Sequence, residues 1–286
     1  MDWWAFRASN LLVGNTPDRA CIEIGMTSCS VRVQKEALLA VCGSGYQLFR
    51  NQQEVPPWMS FLAQPGDQLT FEKCAGGNWV YLAVAGGIQS TIWLGSRSVY
   101  PRGNLGYYLQ DGDQLPFERL SPQARMRGGR SFPNSLRPAY TQASILRVIQ
   151  GPDLARFQPE SHKIFFEGTY QVSPQSDRMG YRLHGPALKH QDRADIVSRG
   201  MAMGEIQVPG DGQPIVMMAD HPTAGGYTSI GAISKVDLPL LAQSQPGLTE
   251  IGFLPVGVAD AHRLLIKLLE NFDLHSFDQE EPWLNL

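Results

Sequence analysis

Hydrophobic residues along this chain come mostly in runs of strand length, interrupted at short intervals by glycine, proline and asparagine. The runs CIEIGMTSCSVRV, ALLAVCG, YQLF, SFLA, QLTFEK and NWVYLAVAGGI predict strands from about residue 20 to 117, in an antiparallel barrel or sandwich. The pattern resumes near residue 145 with SILRVIQGP, TYQVS, EIQVPG, QPIVMMAD, TSIGAIS and EIGFLPV. A helical period shows mainly at the two ends. Asp2 is placed to cap a first helix with Trp4, Ala8, Leu11 and Leu12 on one face, and Gly14 with Asn15 can end it. An amphipathic helix is predicted near 258–272, with Ala261, Leu264, Leu265, Leu268, Leu269 and Phe272 on one stripe. An acidic tail, DQEEPWLNL, follows it. A short helix can start at Asp237, with Pro239 in its first turn. The fold class expected is therefore mainly β, with helix at the termini.

Residues 118–144 break the strand pattern with Arg119, Arg125, Arg127, Arg130 and Arg137, a Gly-Gly pair and Pro122, Pro133 and Pro138. This is the clearest candidate for a linker or long loop. Such a stretch can be a phosphate- or partner-binding arm, or more commonly a solvated loop. The organisation expected is one domain over 1–256, with possible β-lobes at 1–117 and 145–256 joined by the 118–144 loop. A C-terminal helix and tail fill 257–286. The fragments PGDQLTFEK (65–73) and DGDQLPFER (111–119) are near copies, which a turn-plus-strand used twice would explain.

Composition narrows the class. With 286 residues, 43% hydrophobic and 18% charged, the chain has material for a sizeable core. A net charge of −3 provides no global attraction to nucleic acid or to an acidic membrane. Arginine outnumbers lysine, which suits recognition of carboxylate and phosphate but follows equally from genome base composition. Cys21, Cys29, Cys42 and Cys74 show no C-x-x-C spacing and are expected as free thiols in a reducing compartment. The apolar runs are too short to span a bilayer, and MDWWAFRAS lacks a basic export-signal start. A cytoplasmic location is expected.

Several chemistries lack their motifs. There is no G-x-x-x-x-G-K-[ST] phosphate loop, no complete G-x-G-x-x-G and no G-x-S-x-G nucleophile elbow. The six histidines show neither H-x-H nor H-E-x-x-H spacing, so no metal site is expected. MAMG at 201–204 is like a biotin carrier motif without its lysine, so no covalently bound biotin is expected.

Three segments carry a more specific pattern. They are YLAVAGGI (81–88) with LGSRSVY (94–100) and RGNLG (102–106); VSPQSDRMGYRLHGP (172–186); and GEIQVPGDGQPIVMMADHPTAGGYTSIGAI (204–233) leading into DLPLLAQSQPG (237–247). With the opening MDWWAFRASNLLVGN, they resemble the allophanate hydrolase subunit 2, or biotin-dependent carboxyltransferase-like, family over residues 1 to about 256. The resemblance implies a cyclophilin-like β-barrel architecture and a partner of the subunit 1 type. Of the activities in that family, the one it implies first is ATP-dependent hydrolysis of 5-oxoproline to glutamate. ATP would be used together with partners resembling the B-type and A-type subunits of 5-oxoprolinase. A urea or allophanate carboxyltransferase-hydrolase subunit is the alternative within the same chemistry. A non-catalytic regulator resembling the Kip antagonist, which binds a kinase inhibitor, is the alternative outside it. Family members usually carry a further Gly/Pro-rich strand before this point, so either Met1 is an internal methionine of a longer chain or that first strand is missing here. PTAGGYTS also departs from the family at Ala224 and Ser229, where a threonine and a basic residue would be usual.

Both amide chemistries must stabilise charge developing on an amide oxygen beside a bound anion. Arg178 offers a planar fork of donors for that task, and Asp177 is expected to orient it. QPIVMMAD delivers Asp220 to a strand end. Arg178, Asp220 and Asp177 are thus the candidate catalytic residues. Gln175, Ser176, Gln207, Gln213, Thr223, Gly225, Gly226 and Tyr227 are candidates for holding substrate or an anion. The glycines would permit close backbone approach to a ligand, and Tyr227 could stack or donate. Each has a plainer counterpart: a salt bridge under a turn for Asp177–Arg178, a hairpin with an aromatic plug for Gly-Gly-Tyr. His221 is either an acid–base group or a loop residue, and Gly95–Arg97 either an anion-binding turn or an ordinary one.

Overall fold

The computed structural model describes residues 1–141, 143–270 and 272. Its secondary structure is 35% strand and 19% helix, the mainly β composition expected. The described chain divides into two compact units, one over Asp2–Pro138 and one over Ala139–Glu270.

In the first unit, α1 (Trp3–Leu12) is followed by β1 (Ile22–Gly25), β2 (Cys29–Arg32), β3 (Ala37–Gly43) and β4 (Tyr46–Arg50). Then come β5 (Gln53–Val55), β6 (Met59–Ala63), β7 (Gln68–Lys73) and β8 (Trp79–Val84). Two antiparallel sheets form, in the orders β1-β8-β3-β6 and β2-β7-β4-β5. Leu39, Val41, Leu48, Leu69, Phe71, Val80, Leu82 and Val84 bring the two sheets to one core. β3 and β8 are buried at every position, because α1 packs on them as well. Burial on both faces explains why ALLAVCG and WVYLAV run apolar without alternation. Asp2 caps α1 as expected, its Oδ1 accepting from the N–H groups of Trp4 (3.1 Å) and Ala5 (3.0 Å).

The strands expected as far as residue 117 stop at Val84. Beyond it, within this unit, there are only isolated bridges, short turns and α2 (Pro122–Arg125). The repeated fragment shows why. Thr70 in the first copy lies within β7, whereas its counterpart Pro116 has no N–H to donate to a ladder. Leu115 and Phe117 still pack onto the sandwich core. The arginine-rich stretch is not simply a solvated linker either. Phe132 is 1% exposed beside Trp58, and Arg137 donates to Phe132 O and Ser131 Oγ. Gly95–Arg97 is an ordinary tight turn, with Trp93 and Ser96 exchanging backbone hydrogen bonds.

The second unit contains β9 (Ala143–Gln150), α3 (Pro159–Glu167), β10 (Tyr170–Val172), β11 (Gly180–His184) and β12 (Asp195–Gly200). It continues with β13 (Glu205–Val208), β14 (Ile215–Met217), β15 (Ala224–Ile233), α4 (Leu238–Ala242), β16 (Glu250–Pro255) and α5 (Val258–Glu270). Seven strands close into a barrel in the order β15-β13-β14-β11-β10-β16-β9, with β9 returning to β15. Every pairing is antiparallel except β16 with β9. β12 hangs outside the closure, paired with the first residues of β15. This is the barrel architecture that the resemblance implied.

α3 was not expected from the sequence. Its helical phase is hidden by the aromatic pair Phe165–Phe166, and among its apolar residues only Phe165 is buried, stacked on Phe253 at 4.4 Å. α4 starts where expected, but the Asp237 carboxylate does not cap it and instead holds Arg147. α5 presents Ala261 buried and Leu264, Leu265, Leu268 and Leu269 half-buried. The DQEEPWLNL tail lies outside the described residues. Among the described residues, no helix is long and apolar enough to cross a membrane.

Candidate functional site

β13 lies between β14 and β15 and is antiparallel to both, so β14 and β15 run parallel on either side of it. The connection between them, residues 218–223, must therefore pass β13 in six residues, half the dozen or more that a parallel crossover usually needs. This tight crossover carries Asp220, His221 and Thr223, and how it is held decides what the site can do.

Arg178 holds one end. Its Nε donates to Asp220 Oδ2 (2.8 Å) and its Nη2 to Asp220 Oδ1 (2.9 Å), a two-pronged guanidinium–carboxylate pair. The backbone reinforces it, since Asp220 N–H donates to Arg178 O (2.8 Å) and Met218 N–H to Met179 O (3.1 Å). The arginine side chain is 21% exposed and the aspartate 13%, so water reaches the pair without dissolving it. Asp220 is thus a carboxylate that orients Arg178. Asp177, expected in that role, is exposed, and its Oδ1 accepts from the N–H groups of Met179 (2.8 Å) and Gly180 (3.3 Å).

The rest of the SPQSD turn is self-bonded. Ser176 Oγ accepts from Arg182 N–H (3.0 Å) and donates to Arg182 O (3.4 Å), and Gln175 is exposed with its N–H on Ser173 Oγ. At the far end of the crossover, Thr223 O accepts from Met201 N–H (3.1 Å) while its side chain is exposed. His221 is a loop residue whose Nδ1 lies 2.7 Å from Pro222 O.

The two glycines serve the protein's own packing. A Cβ at Gly225 would lie 2.3 Å from Met201 Sδ and 2.6 Å from Gln207 Nε2, so the space expected for a ligand is filled by these side chains. Gln207 is 4% exposed and its amide donates to Met201 Sδ (2.9 Å), a weak acceptor. Gly226 faces Ser198 of β12. Tyr227 pairs with Asp195 and is 41% exposed. Gln213 is engaged elsewhere: its Oε1 accepts from Gly185 N–H (3.1 Å) and its Nε2 donates to Gly185 O (3.2 Å). The structure thus joins Arg178 with Asp220, and Gln207 with Gly225, and leaves Gln175, Gln213 and Tyr227 outside those contacts.

A second charged group was missed from the sequence. Arg199 on β12 donates to Asp153 (3.3 Å) and Glu205 (2.8 Å), and Asp153 also accepts from Ser229 N–H (3.0 Å). It staples the outlying β12 to the barrel. Glu205, a charge at the head of the EIQV run, was the one visible signal. Beside it, His190 Nε2 lies 2.8 Å from Thr228 Oγ1, and its ring sits 4.7 Å from that of Phe157. Burial pushes its imidazole below the ordinary value of 6.5, outweighing the opposing pull of Val208 O and Asp195. Among the described residues, no three His, Cys, Asp or Glu come together as metal ligands.

The family model for the carboxyltransferase domain, subdomain A and B, matches residues 1–255. The C subunit of 5-oxoprolinase from Escherichia coli (strain K12) is 34% identical over 251 residues, covering 85% of this chain and 77% of that protein. The crystal structure of TTHA0988 is 34% identical with a TM-score of 0.80, over 88% of this chain and 48% of its own. The urea amidolyase of K. lactis is 26% identical with a TM-score of 0.89, over 100% of this chain and 18% of that one. This chain therefore spans less than half the length of both of these solved structures. A match over nearly the whole described chain, together with the closed barrel, places the protein in the carboxyltransferase-domain family of subdomains A and B.

Proposed function

We propose that this chain is one component of an ATP-dependent 5-oxoprolinase, hydrolysing 5-oxoproline to glutamate in complex with a subunit 1-type partner resembling the B-type component and with an A-type component. The observation that carries this is the 34% identity to the 5-oxoprolinase C subunit of E. coli across 85% of this chain. The 5-oxoprolinase C subunit of Haemophilus influenzae, 30% identical, supports it. ATP is consumed by the assembled complex, and no covalently bound biotin takes part.

Opening a lactam develops negative charge on its carbonyl oxygen, and fixed donors lower that barrier most when they need no reorganisation. Arg178, clamped by Asp220, is a preorganised cation of this kind. Its role is to hold the anionic group of the substrate, with Asp220 fixing the plane of the guanidinium. Exposed apolar residues on neighbouring barrel strands, Ile145 on β9 and Leu254 on β16, support docking of a partner.

The test is reconstitution with the partner subunits, following 5-oxoproline-dependent release of phosphate and glutamate. Turnover is expected from the complex and not from the isolated chain. No turnover with all subunits present overturns the proposal. In the complex, Arg178→Ala is expected to lose about 10²-fold in turnover, as removal of a preorganised donor does. Arg178→Lys should not rescue it, because an ammonium lacks the planar fork. Unchanged turnover per folded molecule would leave Arg178 a purely structural clamp. The likeness to urea amidolyase favours a second reading, an amide-carboxylating subunit of the urea type. Replacing 5-oxoproline by urea in the same assay separates the two.

A further inference from the structure

We propose that the first unit carries a binding site of its own, for a small organic anion, between the β2–β3 turn and the chain from Phe117 to Arg125. A cavity of about 560 Å³ lies there, its apolar lining provided by Phe117, Leu120 and Pro122. That volume suits a small molecule rather than a bare ion.

Charge decides the class of ligand. Lys35, Arg119 and Arg125 line the cavity together with only two carboxylates, Glu36 and Glu118. Both carboxylates are already engaged. Glu36 binds Arg125 (2.8 Å) and the Gln64 amide (3.3 Å), and Glu118 takes the Gln89 amide (3.3 Å). Among the described residues, Lys35 and Arg119 have no ion pair and no side-chain hydrogen bond. With Arg125 matched by Glu36, Lys35 and Arg119 face the cavity against the single charge of Glu118, leaving a net charge of +1 whose field the apolar wall concentrates. An anionic group fits between them, carboxylate or phosphate, and a flat apolar body fits against Phe117.

The walls are fixed before any ligand arrives, which lowers the cost of binding. Phe117 bridges to Ile88 and packs on the sandwich core. Glu118 is seated against Gly86, where φ is +86° and an added Cβ would lie 2.8 Å from Glu118 Cβ. Arg125 is held by Glu36 in turn.

Isothermal titration of the full chain with phenyl phosphate, benzoate and inorganic phosphate tests the site. Saturable binding of phenyl phosphate or of benzoate is expected, weakening as salt is raised. The stronger of the two identifies the anionic group. The double variant Lys35→Ala/Arg119→Ala should weaken binding at least about tenfold, the usual scale for lost charged hydrogen bonds. Its melting temperature should not move, since both side chains are exposed. Lys163→Ala, an exposed cation of the second unit, should change nothing. No saturation by either organic anion up to about 10 mM, weaker than most specific sites, overturns the proposal. So does equal binding by the double variant, or inorganic phosphate binding as tightly as phenyl phosphate.

Discussion

At the scale of single residues, the clamp between Arg178 and Asp220 and the seat beneath Gly225 hold the crossover past β13. The pair is partly buried, so breaking it strands one charge against the barrel. Asp220→Ala is expected to cost about 1–3 kcal/mol, the range for hydrogen bonds to charged groups, read by urea denaturation. Asp220→Asn, which retains one acceptor, should cost less. Gly225→Ala drives a methyl into Met201 Sδ and Gln207 Nε2. Overpacking of this kind costs about 1–3 kcal/mol. Met201→Ala in the same background should recover much of the loss by vacating the space. If it does not, backbone conformation rather than packing demands the glycine. Asp177 shows how far a motif can be read by itself. The DRMG string marks an important turn, but the Asp220 carboxylate that grips the arginine comes from 42 residues further along the chain.

At the scale of elements, burial on both faces outweighs alternation in β3 and β8, whereas a single proline removes the strand expected in the second DGDQL copy. α3 presents the opposite difficulty. One fully buried ring, Phe165, anchors a nine-residue helix whose sequence has weak helical periodicity. Phe165→Ala should therefore destabilise the barrel by about 3–5 kcal/mol, the cost of emptying a buried aromatic site. Phe165→Leu should recover part of that in thermal denaturation. Equal stability of the wild type and Phe165→Ala would show that α3 does not contribute to the barrel core.

At the scale of the whole molecule, each unit carries its own acid-sensitive group. His190 has a folded value below 6.5, so the fold favours the neutral ring. Its contribution is complete above pH 6.5 and is lost as pH falls through the window just below it. His190→Gln should flatten the stability of the second unit across that window. For Asp67, burial raises the carboxyl's value, but bonds from Gln64 N–H, Asn51 and Arg50 together outweigh it and hold it below 3.8. Its contribution is present above 3.8 and lost as pH falls through the lowered folded value. Partner docking belongs to this scale as well. Ile145 is 71% exposed, so Ile145→Lys should leave the melting temperature unchanged while weakening copurification of the complex. Unaltered assembly would exclude this face from the interface. The sequence by itself determined the β class, the capped first helix, the apolar content of both cores and, through SPQSDRMGYRL, the family. These follow from periods and motifs contained in a few consecutive residues. Only the tertiary structure decided that β9 returns to β15, that residues 218–223 pass β13, that Asp220 clamps Arg178 and that residues 85–138 pack without a strand longer than an isolated bridge. Those outcomes rest on register between distant strands and on which side chains find room beside one another, and no local window of sequence contains either.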